Sequence, residues 1–151
     1  MIPEKYAQLH PIVYRISPEA FIFALLGAPL FVTIAICIPF GIVGLGVIAM
    51  VGIGALVYGA IPYFAIGTPT LIWATRRFQP AFMRYAWLGL GGQLVFMILA
   101  TALAPLFGSF PDAVGMLGVY AVFGTIFAPL YAGTFGWLYA AWAPDTRILE
   151  T

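Results

Sequence analysis

The fold is decided by residues 20–75, a stretch without a charged side chain that reads AFIFALLGAPLFVTIAICIPFGIVGLGVIAMVGIGALVYGAIPYFAIGTPTLIWAT. A helix that crosses the hydrocarbon core of a bilayer needs about 20 apolar residues. This stretch contains 56 residues, which is enough for two crossings and a connecting turn. We place the turn at Pro39, Phe40 and Gly41, because proline and glycine disfavour the interior of a helix.

Two further uncharged stretches, 85–111 and 113–144, are each long enough for one more crossing. We therefore predict four transmembrane helices in one membrane domain that covers residues 1–151 and begins with a short segment, 1–17. The helices are expected at about 18–38, 45–75, 82–107 and 111–143. Each contains at least one proline that should kink it: Pro29 in the first, Pro62 and Pro69 in the second, Pro105 in the third and Pro129 in the fourth.

The composition leaves little room for a soluble surface. Hydrophobic residues make up 64% of the chain and charged residues only 7%, whereas a soluble domain has about 25% charged residues. The predicted fold class is therefore an all-α integral membrane protein. The net charge of +1 gives no indication of a nucleic-acid partner. The first apolar run lacks a small-residue cleavage site, so we expect it to remain as a membrane anchor.

The basic residues predict an orientation. With four crossings, all six Lys and Arg side chains fall on one side of the membrane, and this side is normally the cytoplasm. Both termini should then be cytoplasmic (N-in/C-in), and we expect the protein in the bacterial cytoplasmic (inner) membrane. The six residues are Lys5, Arg15, Arg76, Arg77, Arg84 and Arg147.

Small residues recur every fourth position along the predicted fourth helix, at Gly124, Ala128, Ala132, Gly136 and Ala140. Such a ridge lets another helix backbone approach closely, and close packing is what joins helices in lipid. We interpret it as a helix-packing interface. Contact within the chain's own bundle is favoured over contact with another subunit, because a four-helix chain needs internal contacts first.

Polar side chains within the predicted helices are few, and Gln93 is the most polar of them. We favour a hydrogen bond from Gln93 to a neighbouring helix over contact with a substrate or a quinone. Arg76, Arg77 and Arg84 form the densest basic cluster. Their simplest role is to set the topology, and the alternative is to bind anionic lipid headgroups.

No residue pattern predicts catalysis. The four predicted helix interiors contain no charged group, although such a group is what usually marks function inside a membrane. His10 is the only histidine and Cys37 the only cysteine, and the predicted topology places them on opposite sides of the membrane. We therefore expect no enzyme, no metal site and no intrinsic cofactor.

Two functional hypotheses remain. The first is a non-catalytic accessory, structural or assembly subunit of a larger respiratory, photosynthetic or transport complex, with other membrane subunits and membrane lipids as partners. The aromatic content of 17% would suit bound lipids, or a carotenoid, quinone or pigment shared with those partners. The alternative is a small homo-oligomeric transporter or channel for an uncharged solute, with a broken second helix near Gly67.

Overall fold

The computed structural model describes residues 12–14, 16–44, 46–106, 110–143 and 147–149. The described residues do not include Lys5 and Arg15, which contributed to the predicted orientation, or His10, which was considered as a metal ligand. The elements in chain order are β1 (Ile12–Tyr14), α1 (Pro18–Ile42), α2 (Gly46–Pro62), a π-helical segment (Tyr63–Gly67), α3 (Thr68–Arg77), α4 (Phe82–Leu103), a 3₁₀ turn (Ala104–Leu106), α5 (Phe110–Trp142) and β2 (Arg147–Leu149).

Four helical stretches in the described part of the chain are long and apolar enough to cross a membrane. This confirms the predicted number of such helices, and it is compatible with an integral membrane protein. The second stretch is composite, because α2, the π-helical segment and α3 follow one another without a break. The four stretches, named spans 1 to 4 below, are Pro18–Pro39, Met50–Arg77, Phe82–Leu106 and Leu117–Trp142.

Two short strands were not predicted. β1 and β2 pair antiparallel, with Val13 opposite Ile148, and so hold the two ends of the chain together at one end of the bundle. Each strand has only three residues, which is too short for a sequence pattern to reveal. Apart from these strands, the regular structure of the described chain is helical.

The first helix ends at Ile42, whereas the sequence placed its end at about residue 38. Pro39 lies in the last turn and removes only its own backbone donor, so it does not by itself end the helix. Its carbonyl oxygen still accepts a hydrogen bond from the Val43 N–H at 3.2 Å. The chain turns away at Gly44, whose φ of +79° is a left-handed conformation that favours glycine.

The π-helical segment lies between two prolines, Pro62 and Pro69. The Thr68 N–H donates to the carbonyl oxygen of Tyr63, five residues earlier, and this spacing defines a π turn. Neither proline has an N–H to continue a regular α-helix. Bending at this or the other prolines remains a prediction.

Helices α4 and α5 form the most extensive contact in the bundle, and α1 packs against both α2 and α5. A buried aromatic cluster joins α1, α4 and α5 near the paired strands. The Phe135 ring lies 5.2 Å from that of Phe21 and 5.9 Å from that of Tyr85. Tyr139 stacks on Phe135 at 5.8 Å and accepts a hydrogen bond from the Ser17 N–H at 3.2 Å. Spans 1, 3 and 4 are thereby held together at this end.

A side chain of the second span completes the backbone hydrogen bonding of the first. In α1, the carbonyl oxygen of Leu25 faces position 29, where Pro29 has no N–H to donate. The Tyr63 hydroxyl donates to this oxygen at 3.1 Å. An unpaired carbonyl is costly where no water is present, so this bond fixes the π-helical segment against α1.

Candidate binding cleft within the bundle

The small-residue ridge of α5 lies largely against α4 of the same chain. A Cβ atom built on Gly136 would lie 2.8 Å from Tyr85 Cγ. One built on Gly89 of α4 would overlap the carbonyl oxygen of Ala128 and lie 2.7 Å from Ala132 Cβ. These separations are too short for ordinary packing, so the two backbones approach each other as closely as the glycines allow.

The last residue of the ridge differs from the other four in its exposure. Ala140, its last member, is exposed. The other four members, Gly124, Ala128, Ala132 and Gly136, contact α4 or its side chains, and they are therefore occupied within the bundle.

Gln93 lies at the centre of the α4–α5 contact and is only 6% exposed. Its Nε2 donates a hydrogen bond of 2.8 Å to the carbonyl oxygen of Tyr120. A Cβ atom on Gly124 would overlap the Gln93 amide, so the absence of a side chain at this position makes room for it. The Gln93–Tyr120 hydrogen bond ties α4 to the backbone of α5.

A cleft adjoins Gln93, between the second span on one side and α4 and α5 on the other. The second span makes few contacts with α4, whereas α4 packs closely on α5. The separation leaves a cavity of about 70 Å³. One water needs about 10–15 Å³ of such space, so the cavity is about the size of five to seven waters.

The walls of the cleft combine aromatic rings with glycines. Phe96 and Tyr120 meet edge to face at 5.3 Å on one wall. The π-helical segment contributes Tyr63 and Gly67 to the other. A Cβ atom on Gly92 would meet nothing within 4 Å, which shows that the space over this glycine is open.

The cleft opens to the outside of the bundle. Tyr58 and Val119 at its margin are 47% and 41% exposed. In a bilayer this opening would face lipid. Among the described residues that line the cleft there is no acid, histidine, cysteine, lysine or arginine, so this lining presents an uncharged surface with a buried amide.

The arginine cluster lies outside the cleft, on both sides of the connection between α3 and α4. The Arg77 guanidinium carbon lies 5.9 Å from the centre of the Trp73 ring, and that of Arg84 lies 5.9 Å from the centre of the Phe78 ring. Arg84 also donates to the Gln79 carbonyl oxygen at 3.2 Å. Arg76, like the other two, is exposed. The cluster and Gln93 are therefore separate features.

Within the described residues, no group of three or more His, Cys, Asp or Glu side chains is arranged to hold a metal ion. Of the predicted site residues, Gln93 lines the cleft together with three residues of the ridge, Gly124, Ala128 and Ala132. The cleft itself was not predicted, because it depends on the spacing between helices. The Tyr63–Leu25 hydrogen bond was also missed, although Pro29 marks the carbonyl that it satisfies.

Comparisons of this chain with protein families, with curated proteins and with solved structures found no significant match.

Proposed function

We propose that this chain is a non-catalytic subunit of a larger membrane complex, and that it holds an uncharged, lipid-soluble molecule in the cleft beside Gln93. The observation that carries the proposal is the cleft itself. It combines an uncharged lining, aromatic walls and a buried amide. Ligand sites of small molecules typically have this character, with mostly apolar walls and a few placed polar groups.

The chemistry of the lining favours binding over catalysis. General acid–base catalysis needs a titratable group within reach of the reacting atoms, most often histidine or a carboxylate. In the part of the cleft wall that the structure describes, the titratable residues are tyrosines. The lining is sufficient for a subunit that positions or stores a lipid-soluble molecule for its partners, because such a role requires binding and no titratable catalyst.

The experiment compares two glycines on the same helix. Gly92 lines the cleft, whereas Gly91 is exposed and lies outside the lining, and a Cβ atom on either would meet nothing within 4 Å. Gly92→Leu should fill the cleft without disturbing the helix contacts, and Gly91→Leu is the matched control. Each variant is purified from its native membrane in mild detergent, and native mass spectrometry detects bound small molecules and partner subunits.

We expect the wild type and Gly91→Leu to retain the same lipid-soluble molecule and Gly92→Leu to lose it. Partner subunits should accompany the wild-type chain. A wild-type protein that emerges as a lone monomer or homo-oligomer with no bound molecule would contradict the proposal. So would retention of the molecule by Gly92→Leu at the wild-type level.

A second candidate is a homo-oligomeric transporter for an uncharged solute. It is favoured by the π-helical segment on the cleft wall, because π turns within helices frequently occur at functional sites. Purified protein in liposomes should then conduct a panel of small uncharged solutes, and Gly92→Leu should reduce this flux while Gly91→Leu should not. Absence of flux for every solute would eliminate this candidate.

The placement in the membrane is also a proposal. We infer an N-in/C-in orientation in a bacterial cytoplasmic membrane, with lipids around the exposed apolar side chains. It is supported by the basic residues 76, 77, 84 and 147, which lie near the same end of the bundle as the paired strands. Cationic side chains on one side normally mark the cytoplasmic face.

A further inference from the structure

Spans 1 and 2 are in close contact near their connecting turn and separate further along. A Cβ atom built on Gly52 would lie 3.3 Å from Cys37 Sγ, so the two helices almost touch there. Beyond this contact, a second cavity of about 280 Å³ lies between residues 26–30 of span 1 and residues 56–64 of span 2. We name it the span 1–2 cavity. The described lining of the cleft beside Gln93, by contrast, comes from span 2, α4 and α5.

The span 1–2 cavity is large and its wall is hydrocarbon. Its volume is nearly twice that of an apolar cavity of about 150 Å³ that stays dry and binds benzene. Of the described lining residues, only Tyr63 and Tyr131 carry a polar side-chain atom. The Tyr63 hydroxyl already donates to the Leu25 carbonyl oxygen, and the Tyr131 hydroxyl oxygen is buried where a ligand in the cavity does not reach it. The cavity therefore suits a hydrocarbon chain without a polar group.

The depth of the cavity matches the ends of lipid chains. Phe64 precedes Arg76 by twelve positions, which is about 18 Å along span 2 at about 1.5 Å per residue. Leu30 follows Pro18, the first residue of span 1, by the same number of positions. The hydrocarbon of one leaflet is about 15 Å deep, half of the core of the bilayer. A phospholipid whose headgroup lies at Arg76 therefore has the ends of its acyl chains at the cavity.

An exposed stripe of span 2 connects the cavity with the arginines. Phe64, Pro69, Ile72 and Arg76 follow one another along it, and all four are exposed. The stripe begins with an apolar side chain at the cavity and ends with a guanidinium group. Basic side chains at the membrane surface attract anionic lipid headgroups. The charge at Arg76 therefore complements the phosphate of an anionic lipid whose chain follows the stripe.

We propose that an anionic phospholipid occupies this path, with its headgroup at Arg76 and the end of one acyl chain in the span 1–2 cavity. The chain fills the space that the two diverging spans leave between them. The arginine selects the headgroup, and the cavity fixes the position of the tail. This site goes beyond the ligand proposed beside Gln93, because it takes a membrane lipid and one of its walls is span 1.

The test uses phospholipids that carry a photoactivatable diazirine. The full chain is reconstituted in vesicles of phosphatidylcholine that contain a trace of one probe. The probes are phosphatidylglycerol and phosphatidylcholine, each with the diazirine either at the end of an acyl chain or beside its carbonyl group. After irradiation, mass spectrometry of the digested chain locates and quantifies the labelled residues.

We expect the chain-end phosphatidylglycerol probe to label Leu30 and Phe64 at the rim of the cavity several-fold more than Leu94. Leu94 is the matched reference, because it is exposed on span 3 twelve positions after Phe82 and so lies at the same depth. The probe with the diazirine beside the carbonyl group should instead label residues near Arg76.

Two alanines of span 2 provide the variants for the cavity. Ala60 lines the cavity, whereas Ala65 is exposed and lies outside its described lining. Ala60→Leu should fill the cavity and reduce chain-end labelling of the rim to the level of Leu94. Ala65→Leu should leave the labelling unchanged.

The headgroup is tested by comparing the two chain-end probes. In the wild type, phosphatidylglycerol should label the rim about fivefold more than phosphatidylcholine, the contribution of one basic side chain at an anionic surface. Arg76→Gln should label equally with both.

Equal labelling of the cavity rim and of Leu94 in the wild type would overturn the inference, and this comparison holds even if a variant does not fold. Rim labelling that Ala60→Leu leaves unchanged would also overturn it, and so would equal labelling by the two headgroups in the wild type. None of these outcomes decides whether the cleft beside Gln93 holds a ligand, which the Gly91 and Gly92 variants test separately.

Discussion

The amide of Gln93 lies directly against Gly124, across the contact between α4 and α5. A polar side chain and a glycine are paired here because only the missing side chain lets the amide reach the Tyr120 carbonyl oxygen. Gln93 and Gly124 both line the cleft. Gly124 therefore allows α4 and α5 to pack closely and also makes room for the Gln93 amide in the candidate site.

Gly124→Ala should weaken the α4–α5 contact, because the new Cβ atom would overlap the Gln93 amide. We expect the free energy of unfolding in detergent to fall by about 1–3 kcal/mol, the usual cost of overpacking. Thermal or denaturant unfolding measures it. Gly118→Ala is the control on the same helix, since a Cβ atom there meets nothing within 4 Å. Equal stability of the two variants would argue against this packing.

Gly89→Ala should destabilise the bundle at least as much as Gly124→Ala. Its Cβ atom would overlap the Ala128 carbonyl oxygen, which belongs to the backbone and cannot rotate away as a side chain can. The expected loss is about 2–3 kcal/mol, measured in the same unfolding assay. Gly92→Ala is the control on α4, because open space adjoins Gly92. A wild-type melting temperature for Gly89→Ala would contradict the close approach of the two backbones.

Tyr63→Phe should cost about 0.5–1.5 kcal/mol of stability, because the carbonyl oxygen of Leu25 loses its donor. Pro29→Ala restores a backbone N–H at the position that normally pairs with this oxygen. We therefore expect Tyr63→Phe to cost less in the Pro29→Ala background than in the wild type. A double-mutant cycle measures this coupling. Identical costs in both backgrounds would show that the hydroxyl contributes nothing through Leu25.

A topology reporter tests the orientation. A reporter that is active only outside the cytoplasm should give no signal when fused after Thr151, because the positive-inside pattern places this end in the cytoplasm. The same reporter fused after Gly44, in the connection between α1 and α2, should be active. The two fusions act as each other's control. Activity only at Thr151 would reverse the orientation.

The arginine cluster predicts a preference for anionic lipid. Replacing Arg77 and Arg84 with Gln should reduce the phosphatidylglycerol that remains bound in mild detergent by about thirtyfold, since each of the two basic side chains contributes about 1 kcal/mol at an anionic surface. Phosphatidylcholine retention should not change, and native mass spectrometry measures both lipids. The Arg→Lys pair is the charge-preserving control. A loss of both lipids to the same extent would indicate damage to the fold instead.

Hydropathy and charge were sufficient to predict the helical fold, because a membrane helix depends on the composition of its own 20 or so residues. The four spans follow from where charged residues are absent between Ala20 and Pro144. The end of the first helix was misplaced by four residues, since Pro39 is tolerated in a last turn. The three-residue strands escaped prediction because a pairing between distant segments leaves almost no local pattern.

The candidate site could be predicted only in part. Gln93 is evident as a polar residue in an apolar helix, and the ridge from Gly124 to Ala140 is evident from its spacing. Neither pattern shows which residues Gln93 or the ridge contacts in the folded chain. Gly124 could have faced lipid, another subunit or α4, and the choice depends on how the helices are rotated relative to one another.

The sequence by itself therefore determined the number of spans, their uncharged interiors and the position of Arg76, Arg77 and Arg84 at the ends of two spans. The tertiary structure decided that α4 covers most of the ridge, that Tyr63 satisfies Leu25 and that a cleft remains beside Gln93. The physical reason is that the two kinds of interaction connect residues over different distances along the chain. Transfer into lipid is a property of each segment alone, whereas helix packing and a leftover cavity depend on the shapes of surfaces that the chain brings together from distant positions.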